Sequence, residues 1–474
     1  MWDFGIENGV VMTARAIYEA NIYGSGGTIG AITTKRQPAS TVIDAAGLVV
    51  LPGMIDAHVH SRDPGFPDKE DFFHSTRAAA AGGVTTILEM PNSVPAVMDA
   101  EALRKRRAYL ADRAYVDYGL WGLALATTTS AEFQAMVEEG ACGFKFFWGY
   151  ALDPRTFELV YNPAPGADLL DPPSDGQVLE IFQRVAQTGR VLAVHAENQS
   201  VIGTLSRYAD KLGYDALVQS RPELTEIMAI HAAIDLAEHT GARLHIVHLG
   251  AAEGARIVHA AAERGVQATC ETCPQYLTLS DRDYARVGTP MKVYPPIRSE
   301  ANRQGLVMAL KEGLIRLIAS DHAPHTAASK KGPLDQIPAG IAGVETLFRL
   351  ILDMALRGDL ELGQVVRYMS EEPARLFGLY PQKGAILPGA DADMVLVDLD
   401  GSWTVSADKL HSLNPLNPWE GQTLKGDIRA TVLRGRVIFQ DGSIVGSPGG
   451  CFVAPSNGQS SRALISSGSI QEQS

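Results

Sequence analysis

The sequence predicts an α/β fold in which a (β/α)8 TIM barrel is joined to a small β-sandwich domain built from both chain ends. Two observations support this prediction. Apolar, β-branched segments alternate with Ala/Leu/Glu/Arg-rich helical segments through the middle of the chain, and shorter strand-like segments occur near both ends. Eight such strand–helix units are what a barrel of this kind requires. A doubly wound open sheet is the alternative, but no Gly-rich nucleotide-binding loop follows the first strand.

The predicted barrel strands are short apolar runs bounded by turn residues. They are residues 48–60, 84–90, 117–124, 142–147, 191–196, 244–249, 266–272 and 315–321. Segments with helical periodicity lie between most of them, at residues 71–81, 99–111, 129–138, 176–188, 223–240, 252–264 and 301–312. This order predicts that each strand is followed by a helix that packs on the outside of the barrel.

Three compositional zones predict the domain organisation. We expect residues 1–47 and 380–446 to fold together as the small β domain, with residues 48–379 inserted between them as the barrel. The tail at 447–474 is rich in Ser, Gly and Gln, a composition that predicts disorder.

The composition is typical of a globular enzyme and argues against several other classes of protein. Hydrophobic residues make up 46% of the chain and charged residues 20%, and the net charge of -13 comes without a basic stripe. Neither a nucleic acid nor an acidic membrane is therefore an expected partner. No apolar run approaches about 18 residues and no leader is apparent, which predicts a cytoplasmic protein. The four cysteines do not form a disulfide framework, and the Cys270–Cys273 spacing is most simply structural.

The first barrel strand carries the strongest chemical signal. It ends in Asp56-Ala57-His58-Val59-His60. Because side chains alternate along a strand, His58 and His60 point to the same face and form half of a metal site. A hydrogen-bonded structural pair is the alternative for an isolated His-x-His, so the remaining strand ends decide between the two.

Metal-binding side chains recur at later strand ends, where barrel enzymes place their chemistry. These residues are Lys145, His195, His248 and Asp321. Placement by chance does not account for metal-binding side chains at so many strand ends. His245 lies three residues before His248, so we expect it to face the opposite side of the strand and to pack outward.

Lys145 is unusual because Phe144, Phe146 and Phe147 surround it in sequence. A lysine in so apolar a strand is expected to be buried or chemically altered. Carbamylation would remove the buried cation and provide oxygen ligands that can bridge two metal ions. This modification is a hypothesis at the level of the sequence.

These motifs resemble those of the amidohydrolase superfamily, specifically its cyclic amidohydrolases: dihydroorotases, allantoinases, hydantoinases and dihydropyrimidinases. The resemblance extends from the segment 51–58 to the segment 388–394. It implies two divalent ions, usually Zn2+, and a homo-oligomer, either a dimer or a tetramer. It also implies hydrolysis of a cyclic amide by a hydroxide that bridges the metals.

The resemblance also implies a role for each candidate ligand. His58, His60 and Asp321 would hold one ion, His195 and His248 the other, and carbamylated Lys145 would bridge them. Asp321 would orient the hydroxide, take its proton and pass it to the leaving nitrogen.

The predicted substrate contacts favour different subgroups. Arg62, Asn92 and His325 match the dihydroorotase contacts to a substrate carboxylate, whereas Tyr150 is placed like the hydantoinase tyrosine that binds substrate. Tyr294 stands where dihydroorotases usually carry Asn and hydantoinases Ser. We therefore rank a dihydroorotase-like activity first, then hydantoinase or dihydropyrimidinase, then allantoinase or another cyclic imide or ureide hydrolase.

Two further alternatives are weighed at this level. As a loop residue, Arg62 could pair with a nearby acid such as Asp63 instead of a substrate. A non-catalytic scaffold protein of the same fold is the other alternative, but such relatives have lost metal ligands and every ligand position is filled here.

Overall fold

A computed structural model describes residues 1–155, 159–160, 167–208 and 213–456 of the chain. Within these residues no helix has the length and apolar character needed to cross a membrane. The predicted fold class, a TIM barrel with a β-sandwich domain from the chain ends, is confirmed.

Twenty strands are found in the described residues. They are β1 (Trp2–Met12), β2 (Ile17–Ser25), β3 (Thr28–Thr33), β4 (Ala39–Asp44), β5 (Val49–Pro52), β6 (Met54–Val59), β7 (Val84–Glu89), β8 (Asp117–Leu120), β9 (Gly122–Leu123), β10 (Gly143–Phe147), β11 (Ala151–Leu152), β12 (Leu159–Val160), β13 (Val191–His195), β14 (Arg243–Ile246), β15 (Ala268–Thr272), β16 (Leu317–Ile318), β17 (Met394–Thr404), β18 (Thr423–Leu433), β19 (Arg436–Gln440) and β20 (Ser443–Ile444).

The helices of the described residues mostly follow barrel strands. They are α1 (Phe72–Ala81), α2 (Ala100–Leu110), α3 (Ser130–Glu138), α4 (Asp175–Ala186), α5 (Gln199–Leu205), α6 (Tyr214–Ser220), α7 (Glu223–Thr240), α8 (Ala252–Glu263), α9 (Pro274–Thr278), α10 (Tyr284–Val287), α11 (Glu300–Lys311), α12 (Val344–Leu356), α13 (Leu362–Val366) and α14 (Glu372–Leu376). Several begin at a side chain that accepts a backbone N–H of the first turn, an arrangement that stabilises helix starts. These caps are Asp71, Asp99, Thr129, Ser174 and Ser299.

The sheet built from the chain ends has nine strands in the order β20-β19-β18-β17-β5-β1-β2-β3, with β4 paired to β1. The strand expected at 48–60 is therefore two strands, because β5 joins this sheet and β6 joins the barrel. Gly53 lies at the break, where a Cβ atom would approach Thr85 Oγ1 to 2.1 Å. Only glycine allows the backbone to pass this close to the neighbouring strand.

The barrel is formed by two runs of parallel strands, β6-β7-β8 and β9-β10-β13-β14-β15-β16. A parallel bridge between Val59 and His322 joins the first strand to the eighth, and the His60 N–H donates to the His322 carbonyl at 2.7 Å. The carboxyl ends of the strands consequently meet at one mouth.

One long helix differs from the sequence expectation. Helix α12 follows the eighth strand but was not among the predicted helices. Eleven of its thirteen residues are buried, and these include the polar side chains of Glu345, Arg349 and Asp353, which lie four residues apart on one face. It packs between the barrel and the end sheet, where Arg349 pairs with Asp427 at 3.1 Å.

The beginning of the tail also differs from its prediction. The Tyr118 N–H donates to the Cys451 carbonyl at 3.0 Å, and the Val453 N–H donates to the Tyr118 carbonyl at 2.8 Å. The Phe452 ring meets the Tyr118 ring edge-on, with centroids 5.9 Å apart. Residues 451–453 are therefore held against β8, and residues 457–474 of the predicted disordered tail lie outside the described residues.

Candidate metal centre and substrate pocket

Three of the predicted metal ligands meet at the barrel mouth. The Nε2 atoms of His58 and His60 are 3.3 Å apart at the end of β6. Asp321 Oδ1, beyond the eighth strand, lies 3.3 Å from His58 Nε2 and 3.5 Å from His60 Nε2. These atoms could hold one metal ion between them.

A second pair of histidines lies beside the first. His195 Nδ1, at the end of β13, is 2.9 Å from His248 Nε2, just beyond β14. The His248 ring centroid is 5.3 Å from that of His58, and Lys145 Nζ is 3.5 Å from His58 Nε2. All six predicted ligands therefore surround one space.

The orientation of the imidazole rings fits metal binding. Three of the four rings hydrogen-bond an acceptor through the nitrogen that faces away from this space. The pairs are His58 Nδ1 with Glu271 Oε1 (2.6 Å), His60 Nδ1 with Asn92 Oδ1 (2.8 Å) and His195 Nε2 with Glu197 Oε2 (2.8 Å). Because a ring nitrogen that donates carries the proton, the nitrogen facing the space is left with a lone pair for a metal.

Burial favours the same protonation state. It lowers the pKa of His58, His60, His195 and His248, so that these side chains are uncharged near neutral pH. Neutral imidazole is the form that binds metal ions. The donor set of four imidazoles and a carboxylate therefore fits two divalent ions.

Lys145 is fully buried on β10, within the same space. Its Nζ makes no ion pair with a carboxylate of the described residues, and the Phe147 ring centroid is 5.0 Å away. Burial lowers the pKa of Lys145 to about 8. A neutral amine is therefore far more accessible here than on a surface lysine.

His245 does not pack outward as predicted. Its buried ring hydrogen-bonds within the barrel, with Nε2 3.1 Å from Glu271 Oε2 and Nδ1 2.8 Å from Thr269 Oγ1. His248 can also face inward because its φ of 39° is left-handed and ends the alternation of the strand. The period-2 argument holds only while the backbone stays extended.

Three charged residues of the site were missed by the sequence argument. Glu271 contacts both His58 and His245 and accepts the His248 backbone N–H at 3.2 Å. Glu197 contacts His195 and pairs with Arg221 at 2.7 Å. Glu271 could have been identified because it is an acid inside an apolar strand. Glu197 could have been identified because it lies two residues after the ligand His195, on the same face of the chain. Arg221 lies beyond α6 and carries no such local signal.

The electrostatic environment of Glu197 differs from that of most buried acids. Burial would raise the pKa of its carboxyl, but Arg221 and the hydrogen bond from His195 lower that pKa to about 2. Glu197 therefore remains a carboxylate and keeps its hydrogen-bond acceptor for the His195 ring.

A pocket opens above the ligand set. Besides the ligands it is lined by Arg62, Asn92, Phe147, Val293, Tyr294, Ala323, Ala339 and Gly340. Arg62 NH2 lies 3.3 Å from His325 Nε2, which is 2.9 Å from the Ala339 carbonyl oxygen. Asp63, considered above as a partner of Arg62, accepts instead from the Tyr109 hydroxyl at 2.8 Å.

Two predicted substrate contacts have other partners in the structure. The Asn92 oxygen accepts from His60, and the Tyr150 hydroxyl lies 3.1 Å from His195 Nε2 and 3.2 Å from Glu197 Oε2. Both side chains therefore also help to orient candidate metal ligands.

The fold and the site define a metal hydrolase of the barrel type, and comparison with known families agrees. The model of the amidohydrolase family matches residues 49–438, and the chain belongs to this family. It is 34% identical to an L-hydantoinase of Paenarthrobacter aurescens, covering 98% of this chain and 100% of the relative. It is 37% identical to an allantoinase of Rubrobacter xylanophilus, covering 87% and 89% of the two chains.

Solved structures give the same grouping. An L-hydantoinase (dihydropyrimidinase) from Arthrobacter aurescens superposes with a TM-score of 0.89 at 33% identity, covering 96% of this chain and 100% of the other. A D-hydantoinase structure superposes with a TM-score of 0.85 at 30% identity, covering 95% and 98%. The predicted resemblance to cyclic amidohydrolases is thus confirmed. These relatives support the hydantoinase and allantoinase alternatives better than the dihydroorotase ranking.

Proposed function

We propose that this protein opens the ring of a hydantoin or a related cyclic ureide by hydrolysing one of its amide bonds at a centre of two divalent metal ions. The observation that carries the proposal is the convergence of four neutral imidazoles, the Asp321 carboxylate and the buried Lys145 amine on one space. A structural role would not require so many uncharged or unpaired polar groups at the barrel mouth.

The residues divide into two ligand sets. His58, His60 and Asp321 would hold one ion, and His195 and His248 the other. Two divalent ions held by these residues would lower the pKa of water and polarise the carbonyl of the scissile amide. Zinc fits the nitrogen-rich donor set.

Lys145 lies between the two ligand sets and would serve both as a carbamate. Its neutral amine nitrogen attacks the carbon of CO2, a new N–C bond forms, and the amine loses a proton to solvent. The product is an anion with two oxygen ligands in place of a buried ammonium. Burial of the side chain supports this step because it favours the neutral amine.

Asp321 is the residue that we assign to proton transfer. Water attacks the carbonyl carbon of the ring, a C–O bond forms, and the C–N bond of the ring breaks. The Asp321 carboxylate accepts the proton that the water loses and returns it to the leaving ring nitrogen. Asn92 and Glu271 hold the His60 and His58 rings with their lone pairs toward the space.

The substrate class is inferred from the pocket and the relatives together. Tyr294, Val293 and Phe147 contribute uncharged, largely apolar side chains to the lining of the pocket, and Arg62 contributes a cation. Uncharged side chains suit the ring substituents of hydantoins, and the named relatives are hydantoinases and an allantoinase. Arg62 is the observation that keeps an acidic ring such as dihydroorotate as the second candidate.

A substrate panel tests this proposal. Purified protein is supplied with zinc and bicarbonate and is offered hydantoin, 5-substituted hydantoins, allantoin, dihydrouracil, dihydroorotate and simple cyclic imides. We expect the largest kcat/KM on a hydantoin or on allantoin. No ring opening on any member, with metal bound, would contradict the proposal and favour the scaffold alternative.

The role of Arg62 separates the two candidates. If the substrate is acidic, Arg62→Ala should lower kcat/KM by about 10²-fold on dihydroorotate, because a charge-assisted bidentate contact is lost. If the substrate is a neutral hydantoin, the same variant should change kcat/KM far less.

An assembly into dimers or tetramers stays a prediction, to be checked by light scattering.

A further inference from the structure

Tyr294 forms part of the pocket wall and is held from behind by an arginine. The guanidinium carbon of Arg221 lies 3.8 Å from the centroid of the Tyr294 ring. Tyr294 lines the pocket, whereas Arg221 is buried and does not line it. A guanidinium stacked on an aromatic face out of water makes a strong cation–π contact, so this ring is fixed in one orientation.

Arg221 is itself fixed by the metal side of the site. Its NH1 donates to Glu197 Oε2 at 2.7 Å and to the Tyr150 hydroxyl at 3.2 Å. Glu197 in turn accepts from His195 at 2.8 Å. One buried guanidinium therefore connects a candidate metal ligand to the pocket wall.

The neighbours of the Tyr294 ring indicate what it selects. Phe147 and Val293 line the same pocket, and none of these three side chains carries a charge. A fixed, apolar wall limits the size of a substituent on the substrate ring more sharply than a mobile side chain, which can move aside.

We propose that Tyr294 is the residue that determines which ring substituents fit. Arg221 is a positioning residue that holds the side chains of Tyr294 and, through Glu197, His195 in their orientations. This inference rests on the proposed function and deepens it: the substrate class is a cyclic ureide whose substituent packs on the Tyr294 ring.

The test compares hydantoin with 5-methyl-, 5-isopropyl- and 5-benzylhydantoin. In Tyr294→Ala the ratio of kcat/KM for 5-benzylhydantoin to that for hydantoin should shift by about 10-fold or more, since pocket contacts of this size discriminate by such factors. Tyr294→Phe keeps the ring and should leave the ratio within about 3-fold of the unmodified protein. Tyr294→Val replaces the alanine variant if that variant does not fold.

Arg221→Lys tests the positioning role, because lysine keeps the charge opposite Glu197 but loses the planar stack. The substituent ratio should shift in the same direction as in Tyr294→Ala. Arg349→Lys is the matched control, since Arg349 is also buried, stacks on Trp403 at 4.2 Å and pairs with Asp427. It should leave the ratio unchanged whatever it does to thermal stability.

A second readout does not depend on turnover. Calorimetric titration with the ring-opened N-carbamoyl amino acids, from glycine to phenylalanine, should show the same shift in relative affinity for Tyr294→Ala and Arg221→Lys. If these variants still open the ring but change kcat/KM by the same factor on every hydantoin, this inference alone would be overturned. An absence of both ring opening and product binding in the unmodified protein would overturn the proposed function together with it.

Discussion

Two buried lysines of this protein have opposite surroundings. Lys383 lies where the barrel meets the end sheet, with Nζ 2.7 Å from Asp393 Oδ2, 2.8 Å from Asp391 Oδ2 and in contact with Asp117. Although burial opposes it, these carboxylates raise the pKa of Lys383. Lys145 is equally buried, has no ion pair in the described part of the chain, and has a pKa lowered to about 8.

The comparison shows that burial alone does not determine what a lysine does. Lys383 is compensated as a cation by carboxylates and therefore stabilises the fold, whereas Lys145 forms no ion pair in the described part of the chain, and Asp321 and Glu271 offset only part of the effect of burial on its pKa. Groups with perturbed pKa values in a cleft, without a structural partner, are the ones expected at functional sites.

The largest expected effect is on catalysis. Lys145→Ala removes the proposed bridging group and should lower kcat/KM on the best substrate by about 10³-fold or more, because the positions of both ions depend on it. Short carboxylates such as acetate or propionate should restore part of the activity by occupying the space. Unchanged activity in this variant would contradict a catalytic role for Lys145 and leave it no different in function from Lys383.

Lys383→Met should act on stability instead. It leaves Asp391 and Asp393 without their cation, while Asp117 keeps its pair with Arg434, and should cost about 3–5 kcal/mol in free energy of unfolding, measured by chemical denaturation. Because the pKa of Lys383 is raised, this contribution is present throughout neutral pH. It is lost only as the pH rises above about 10.4, the pKa of an unfolded lysine. Metal content of the folded variant should stay unchanged.

Glu271→Gln tests the orientation of the ligands around Lys145. A glutamine side chain has one acceptor oxygen and cannot accept from both His58 and His245, so metal affinity should fall by about 10–100-fold in competition with a chelator. Glu226→Gln is the control, because Glu226 is equally buried but pairs with Arg298. A similar loss of affinity in both variants would contradict the assigned role of Glu271.

The smallest expected effect is a change in the free energy of unfolding with the opposite sign to that of Lys383→Met. In metal-free protein without bicarbonate, Lys145→Met removes a buried amine whose charge Asp321 and Glu271 offset only in part, and should increase the free energy of unfolding by about 1–2 kcal/mol. Thermal unfolding of the metal-free variants measures this directly. Destabilisation by Lys145→Met equal to that by Lys383→Met would mean that Lys145 has a structural partner.

Much of the site could be predicted from the sequence for two reasons. Alternation of side chains along a strand is a local rule, and a barrel brings the carboxyl ends of its strands to one mouth. His58, His60, Lys145 and His195 lie on or at the ends of extended strands, where those rules hold. His245 could not be predicted, because a left-handed residue at His248 ends the alternation. Contacts that depend on tertiary packing leave still less trace in the sequence.

Arg221 and the end sheet illustrate this second limit. Arg221 lies between α6 and α7 and reaches Glu197 and Tyr294 only in the folded structure, and no sequence periodicity marks its position. The division of the first strand at Gly53 depends on how close Thr85 approaches, a distance that composition does not encode. Substrate preference belongs to the same class of property, which explains why the motifs alone ranked dihydroorotase above the hydantoinase and allantoinase relatives.

We propose above all that Lys145, unlike Lys383, carries CO2 as a carbamate in the metal-loaded protein. The most direct test is carbon-13 NMR of protein loaded with zinc and ¹³C-bicarbonate, together with the Lys145→Ala and Lys383→Met variants. We expect one carbamate carbon signal per chain, absent from Lys145→Ala and retained in Lys383→Met. Active, metal-loaded protein with no carbamate signal, or a signal that persists in Lys145→Ala, would contradict the account.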